Sequence, residues 1–245
     1  MKFDHHFEPI TGWMNDPNGL CYYEGKYHAF FQYNPYAPAW DTMHWGHAVS
    51  DDLVSWRQIE TALYPDREYE NKGGCFSGSA LEKDGELHLF YTAVSEQYGQ
   101  AQATASSRDG VKFEKSPHNP IIPHSPYCNA QGKNVDFRDP KVFFAFGKYY
   151  MVVGAAKGEE GQILLYSSPD LAAWDYVGVL YANGNFGGTL ECPDLFPLGE
   201  KWVLMFSAIK PTVVSTVFVI GTFDGTRFEV ENETYSASRP GADPG

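Results

Sequence analysis

Four segments of this chain repeat one pattern, and that repetition restricts the fold more than any other feature. They are DPNGLCYYEGKYHAFFQY from Asp16, SGSALEKDGELHLFYTAV from Ser77, DPKVFFAFGKYYMVVGA from Asp139 and ECPDLFPLGEKWVLMFSA from Glu191. Each reads as a strand, a turn holding Gly25, Gly85, Gly147 or Gly199, and a second strand rich in aromatic and branched residues. Each hairpin is followed by a similar unit, HWGHAVSDDLVSWRQI, QATASSRDGVKFEKS, ILLYSSPDLAAWDYV or VFVIGTFDGTRFEVE, with Asp and often Gly at its turn, so one repeat holds about four strands. The turn glycines lie 60, 62 and 52 residues apart. That is somewhat longer than the roughly 40–50 residues of a typical propeller blade and leaves room for long loops. The expectation is an all-β chain, a β-propeller with about four blades over residues 1–235, followed by an irregular tail over 236–245.

Equivalent positions in successive blades point to equivalent places around a propeller's channel. Asp16 lies nine residues before Gly25, Asp139 eight before Gly147, and Glu191 eight before Gly199; in the second repeat the slot holds Ser77. Asp-Pro and Asp-Pro-Asn-Gly are turn formers, which is the structural alternative for any one of these acids. Three acids at one register instead predict a site at one mouth of the channel, since packing gives no reason to gather like charges there.

Composition agrees with many short strands: 16% of residues are aromatic, and 24 Gly and 16 Pro punctuate the chain. A net charge of −13 and a pI near 4.9, without a Lys/Arg block, argue against nucleic acid and anionic membranes as partners. Cys21, Cys75, Cys128 and Cys192 are widely spaced, which favours reduced thiols over a disulfide framework or a zinc site. The histidines, His5-His6, His44 and His47 among them, show no metal-ligand spacing, so no metal or other cofactor is expected. Met-Lys-Phe-Asp-His-His-Phe opens the chain without an apolar core segment, and no run approaches about 18 apolar residues, which predicts a cytoplasmic protein. Trp56, Trp174 and Trp202 recur within repeats and read as blade core, and Glu159-Glu160 as a solvated loop.

The block Trp13-Met14-Asn15-Asp16-Pro17-Asn18-Gly19 is followed by Phe31-Gln32-Tyr33-Asn34-Pro35, His44-Trp45-Gly46-His47-Ala48, Phe76-Ser77-Gly78-Ser79, Phe137-Arg138-Asp139-Pro140 and Glu191-Cys192-Pro193-Asp194. In kind and order these blocks resemble glycoside hydrolase family 32, the invertases, levanases, inulinases and sucrose-6-phosphate hydrolases, from about His6 to Glu231. The resemblance implies a five-bladed propeller type and a retaining β-fructofuranosidase acting on sucrose or sucrose 6-phosphate. It makes Asp16 the nucleophile, Glu191 the acid/base and Asp139 the transition-state stabiliser, with the two reacting carboxyls about 5–5.5 Å apart and Glu191 starting protonated. Asn15, Gln32, Ser77 and Arg138 resemble the family's hydroxyl-binding residues, Trp40 and Phe76 its apolar wall, and Trp13 stands with them as a substrate contact. Arg138 also sits where it would neutralise Asp139.

Members of that family carry five blades and then a β-sandwich, whereas this sequence supplies four repeats and a Ser/Pro/Gly-rich end. The implied partner is a small sugar, with self-association through unclosed blade edges as a further expectation. Other readings stay open: fructosyl transfer or fructan hydrolysis through the same covalent intermediate, a glycosidase for arabinose- or xylose-containing glycans, and a truncated sugar-binding remnant without turnover.

Overall fold

In a computed structural model, which describes residues 7–210 and 213–237, the described residues form sixteen strands arranged as four antiparallel four-stranded sheets. Blade one is β1 (Trp13–Tyr23), β2 (Lys26–Asn34), β3 (His44–Ser50) and β4 (Trp56–Gln58), hydrogen-bonded in chain order. Blade two is β5 (Gly74–Lys83), β6 (Glu86–Ser95), β7 (Gly99–Ser107) and β8 (Glu114–Lys115). Blade three comprises β9 (Phe137–Ala145), β10 (Lys148–Lys157), β11 (Glu160–Ser168) and β12 (Asp175–Ala182). Blade four comprises β13 (Thr189–Leu198), β14 (Lys201–Lys210), β15 (Val213–Phe223) and β16 (Phe228–Ala237). The all-β, blade-built class and the four-strand content of each repeat are as the sequence implied, and no β-sandwich occurs among the described residues. His5 and His6 lie outside them.

The chain divides into two compact units, one of residues 1–124 with 130–133 and one of 125–129 with 134–245. Blades one and two make up the first, blades three and four the second. In the first unit, Tyr23, Phe30, Trp45, Leu63, Leu87, Leu89 and Tyr91 form a buried core. In the second, Val152, Ile163, Leu165, Leu195, Leu204, Phe206, Val217 and Val219 do the same. Trp202 packs on that second core, and Trp56 on a smaller cluster with Phe31 and Tyr33, so both act as blade packing. Glu159 and Glu160 are exposed, although Glu160 already opens β11.

The hairpin turns follow from their dipeptides. Glu24-Gly25, Asp84-Gly85 and Phe146-Gly147 have positive φ at both positions, the turn whose twist matches the flanking strands. In the fourth blade the turn is Gly199-Glu200 and only its first residue has positive φ. The connections from third to fourth strand are held by an aspartate in every blade. Asp52, Asp109 and Asp170 each accept backbone N–H groups two and three residues on, as Asp224 does in blade four. Those backbone donors hold the Asp52 and Asp109 carboxyls down to about 2.

Inside blade one, the His28 and His47 imidazoles meet at 2.9 Å, and His28 Nε2 faces the Tyr23 carbonyl at 3.3 Å. Both contacts are satisfied when His28 carries its proton on Nε2 and accepts on Nδ1 from His47 Nε2–H. Burial, and secondarily His28, push His47 down to about 3, so the pair is neutral.

Candidate active site

The first strand of every blade carries a β-bulge part-way along its ladder with the second. In β1, Asn15 and Asp16 lie between the pairs Met14–Tyr33 and Pro17–Phe31, two residues opposite one. In β5, Ser77 is the extra residue between Phe76–Thr92 and Gly78–Tyr91. In β9 the inserted stretch is Asp139-Pro140, between Arg138–Gly154 and Lys141–Val152. In β13 it is Cys192-Pro193, immediately after the pair Glu191–Ser207. A bulge frees its residues from the ladder and turns their side chains away from the regular alternation.

The single register expected for the three acids is therefore corrected. Counted back from the residue where pairing resumes, Asp16 and Ser77 stand one place away, Asp139 two and Glu191 three. The extra residue between Asp16 and Gly25 is a second bulge in β1, between Asn18 and Cys21, where Gly19 has a φ of +53°. What the acids share is a place in or beside a bulge, not the count.

In the first unit, the Ser77 hydroxyl donates to Asp16 Oδ2 at 2.7 Å. Trp13 Nε1–H donates to Asn15 Oδ1 at 2.9 Å, fixing two further predicted contacts beside Asp16. Trp40 meets Phe76 edge-on, 6.0 Å between ring centroids, and is 57% exposed, so it presents an open aromatic face. Gln32 is buried and its amide donates to the Cys75 carbonyl at 3.0 Å, a bond to the scaffold. Of the seven residues predicted in this unit, Asp16 and Ser77 touch, Trp13 and Asn15 touch, and Trp40 and Phe76 touch.

In the second unit, Arg138 gathers the acids. Its Nη1 donates to Asp136 at 2.6 Å and its Nη2 to Glu191 Oε1 at 2.9 Å, with Nε at 3.3 Å from the same oxygen. The Asp139 charge does favour the Arg138 guanidinium, as the sequence placed it to do, and the guanidinium's hydrogen bonds to Asp136 and Glu191 add two partners to it. Burial works against the Arg138 charge, and Asp136, Asp139 and Glu191 together more than offset it, so the guanidinium is held protonated more firmly than usual. Asp139 is buried, and its Oδ2 accepts the Cys192 backbone N–H at 2.9 Å.

Two features press these residues together. Gly154 of β10 lies where an added Cβ would stand 2.2 Å from the Leu190 carbonyl oxygen, so only glycine lets β13 pass that closely. Asp139 and Cys192 have φ of +64° and +49°, a region that costs a non-glycine residue roughly 1–3 kcal/mol. Such strain persists only where surrounding bonds over-determine it, and here it falls beside Arg138 and Glu191.

Sequence reading passed over Asp136, Asn18, Lys141 and Asp194. Asp136 lies just ahead of β9, two residues before Arg138, and that closeness in sequence was the available signal. Asn18 Oδ1 accepts the Gly78 N–H at 3.5 Å, and Lys141 binds Asp194 at 2.9 Å. Both are long-range pairs with no local signature. Among the described residues no group of three or more His, Cys, Asp or Glu is placed to hold a metal ion.

The family model for the glycosyl hydrolases family 32 N-terminal domain matches residues 6–243. The chain is 41% identical to a levanase of Bacillus subtilis, over 93% of this chain and 35% of that protein. It is 43% identical to a sucrose-6-phosphate hydrolase of Escherichia coli, over 82% of this chain and 43% of that one. Among solved structures, a GH32 β-fructofuranosidase of Bombyx mori superposes with a TM-score of 0.84 at 36% identity, covering 95% of this chain and 51% of that one. The chain thus spans between about a third and a half of the length of these relatives.

Proposed function

Because the chain belongs to glycosyl hydrolases family 32, we propose that it supplies the carboxylates of a retaining β-fructofuranosidase. The observation that carries this reading is that each proposed acid sits in or beside a β-bulge and is held by hydrogen bonds: Asp16 by Ser77, Asp139 by the Cys192 N–H, Glu191 by Arg138.

In the proposed reaction, Asp16 Oδ attacks the anomeric carbon of a terminal fructofuranosyl unit while Glu191 gives a proton to the departing oxygen. Water, deprotonated by Glu191, then cleaves the fructosyl ester and returns Asp16 as a carboxylate, with retained configuration. Ser77 holds one oxygen of Asp16 so that the other faces the sugar. Arg138, fixed between Asp136 and Glu191, orients the acid. Asp139 takes fructosyl hydroxyls and strengthens that hold as positive charge builds on the ring. The mechanism asks for Asp16 and Glu191 carboxyls about 5–5.5 Å apart. Trp40 and Phe76 offer an apolar face to the sugar, and Asn15 and Trp13 flank it.

Sucrose and sucrose 6-phosphate are the proposed substrates, with the fructan of a levanase as the alternative, since both kinds of name occur among the relatives. A cytoplasmic site of action belongs to the sucrose 6-phosphate reading, because a phosphorylated sugar does not cross a bilayer unaided. Among the described residues no helix is long and apolar enough to span a membrane. Self-association through blade edges is part of the same proposal and is read by light scattering. The deciding experiment is fructose release from sucrose and, separately, from sucrose 6-phosphate by the 245-residue chain, with Asp16→Ala as control. Release that vanishes in the control supports the proposal and the two rates rank the substrates. A folded chain that binds sugar and releases no fructose overturns it in favour of a sugar-binding role.

A further inference from the structure

Glu70 closes a short 3-10 turn (Glu68–Glu70) in the first unit and is fully buried. Four donors surround its carboxylate: the Arg67 N–H at 3.1 Å, the Tyr91 hydroxyl at 2.6 Å, the Lys115 ammonium at 2.6 Å and the Cys75 thiol at 3.6 Å. Lys115 is itself almost fully buried and also reaches Asp66 at 2.7 Å and the Tyr64 carbonyl. Burial and the Glu70 charge push the Cys75 thiol well up, so the sulfur keeps its proton and donates it.

A buried ion pair contributes little net stability, because desolvation consumes most of the attraction, and apolar replacements are often as stable. Its use lies in fixing geometry. Here it stands directly behind the stretch of β5 that enters the bulge. The Cys75 N–H donates to the Met43 carbonyl at 2.8 Å, and the Cys75 carbonyl accepts from Gln32 at 3.0 Å. The Phe76 carbonyl accepts Trp45 Nε1–H at 3.0 Å, the Ser77 hydroxyl donates to Asp16 at 2.7 Å, and the Gly78 N–H reaches Asn18 at 3.5 Å. Four successive residues are thus each held by a different partner. Ser77, the extra residue of the bulge, takes its position from these neighbours more than from the ladder.

We propose that Glu70 is a positioning residue of the candidate site: acting through Cys75, it sets where Ser77 stands and thereby how Asp16 faces the substrate. The inference rests on the reading of Asp16 as nucleophile and adds to it a buried support on the far side of β5.

The test is a cycle of variants in the 245-residue chain. Glu70→Gln with Lys115→Met removes the ion pair without leaving a lone buried charge. Ser77→Ala removes the hydroxyl, and the third variant combines all three changes. The pair variant is expected to keep KM and lose about tenfold in kcat on sucrose, Ser77→Ala to lose at least as much, and the combination to lose no more than Ser77→Ala alone. A merely structural role gives losses that multiply, which overturns the proposal, as does an unchanged kcat. Where the pair variant does not fold, Tyr91→Phe takes its place; it removes one hydroxyl from Glu70, and its loss of about threefold must likewise vanish once Ser77 is alanine. If the wild-type chain releases no fructose, the proposed activity fails, and crystal structures of the same variants then decide. A Ser77–Asp16 contact opened from 2.7 Å supports positioning by Glu70, and an unmoved contact overturns it.

Discussion

Lowering the pH should destabilise the first unit through one buried imidazole. His47 is fully buried, stacked 4.1 Å from the Phe30 ring, and held at about 3 against an ordinary 6.5. The folded state keeps it neutral, while an unfolded chain takes up a proton once the pH drops below about 6.5. The unfolded state then binds more protons than the native one, so stability falls with falling pH across the window from about 6.5 to about 3. Well inside that window each pH unit is worth about 1.4 kcal/mol, and since an unfolded imidazole is already half protonated at pH 6.5, moving from there to 4.5 removes roughly 2.3 kcal/mol through His47 alone. His28 is also shifted downward by burial, against the Tyr23 carbonyl that raises it, and adds in the same direction. The assay is hydrogen exchange of the β2 and β3 amides at pH 6.5, 5.5 and 4.5, corrected for intrinsic rates, since those strands report the opening of this unit alone. His47→Gln supplies the comparison: its amide N–H replaces the Nε2–H offered to His28, but it does not titrate. Carboxylates contribute equally to both proteins, so the wild type should lose about 2–3 kcal/mol more protection than the variant over this range. Equal losses in the two would refute the assignment of His47 as a buried neutral imidazole.

Three further outcomes are expected. Gly154→Ala should lower the stability of the second unit by about 1–3 kcal/mol in urea denaturation, because its methyl group would stand 2.2 Å from the Leu190 carbonyl oxygen and a backbone has to move. Leu204→Ala, in the centre of that unit's core and fully buried, should cost about 2–5 kcal/mol in the same measurement, with the fold retained by circular dichroism. Arg138→Lys keeps a charge but cannot bind Asp136 and Glu191 together in the guanidinium's fixed fork, so kcat for fructose release should fall by about 10–100-fold with little change in melting temperature; an unchanged kcat would remove Arg138 from the site.

The hairpins were legible because their information is local: a glycine after Glu24, Asp84 or Phe146 dictates the turn, and apolar runs on either side dictate the strands. The acids stood out because each opens a repeat. Their relative placement was not legible, since a bulge is a property of two paired strands and a one-residue insertion in β1 looks the same as a longer turn. The hydrogen bonds of Arg138 to Asp136 and Glu191 were not legible either, because Glu191 lies 53 residues on and only the fold brings it there. Glu70 and Lys115, 45 residues apart, carry no motif at all; a buried ion pair is visible only once burial is known.

The repeated bulge has a consequence for how such a chain can change. A residue in a regular ladder is answerable to its partner across the strand, and altering it tests the sheet. A bulged residue lies outside that pairing, so the demands on its side chain come from its own contacts, as Ser77 has with Asp16 and Asp139 with the Cys192 N–H. Within this one chain the bulges already hold Asp16, Ser77, Asp139 and Cys192 on four ladders of the same construction. The blades thus resemble sockets of one make, in which different side chains are fitted at or beside a point the ladder passes over.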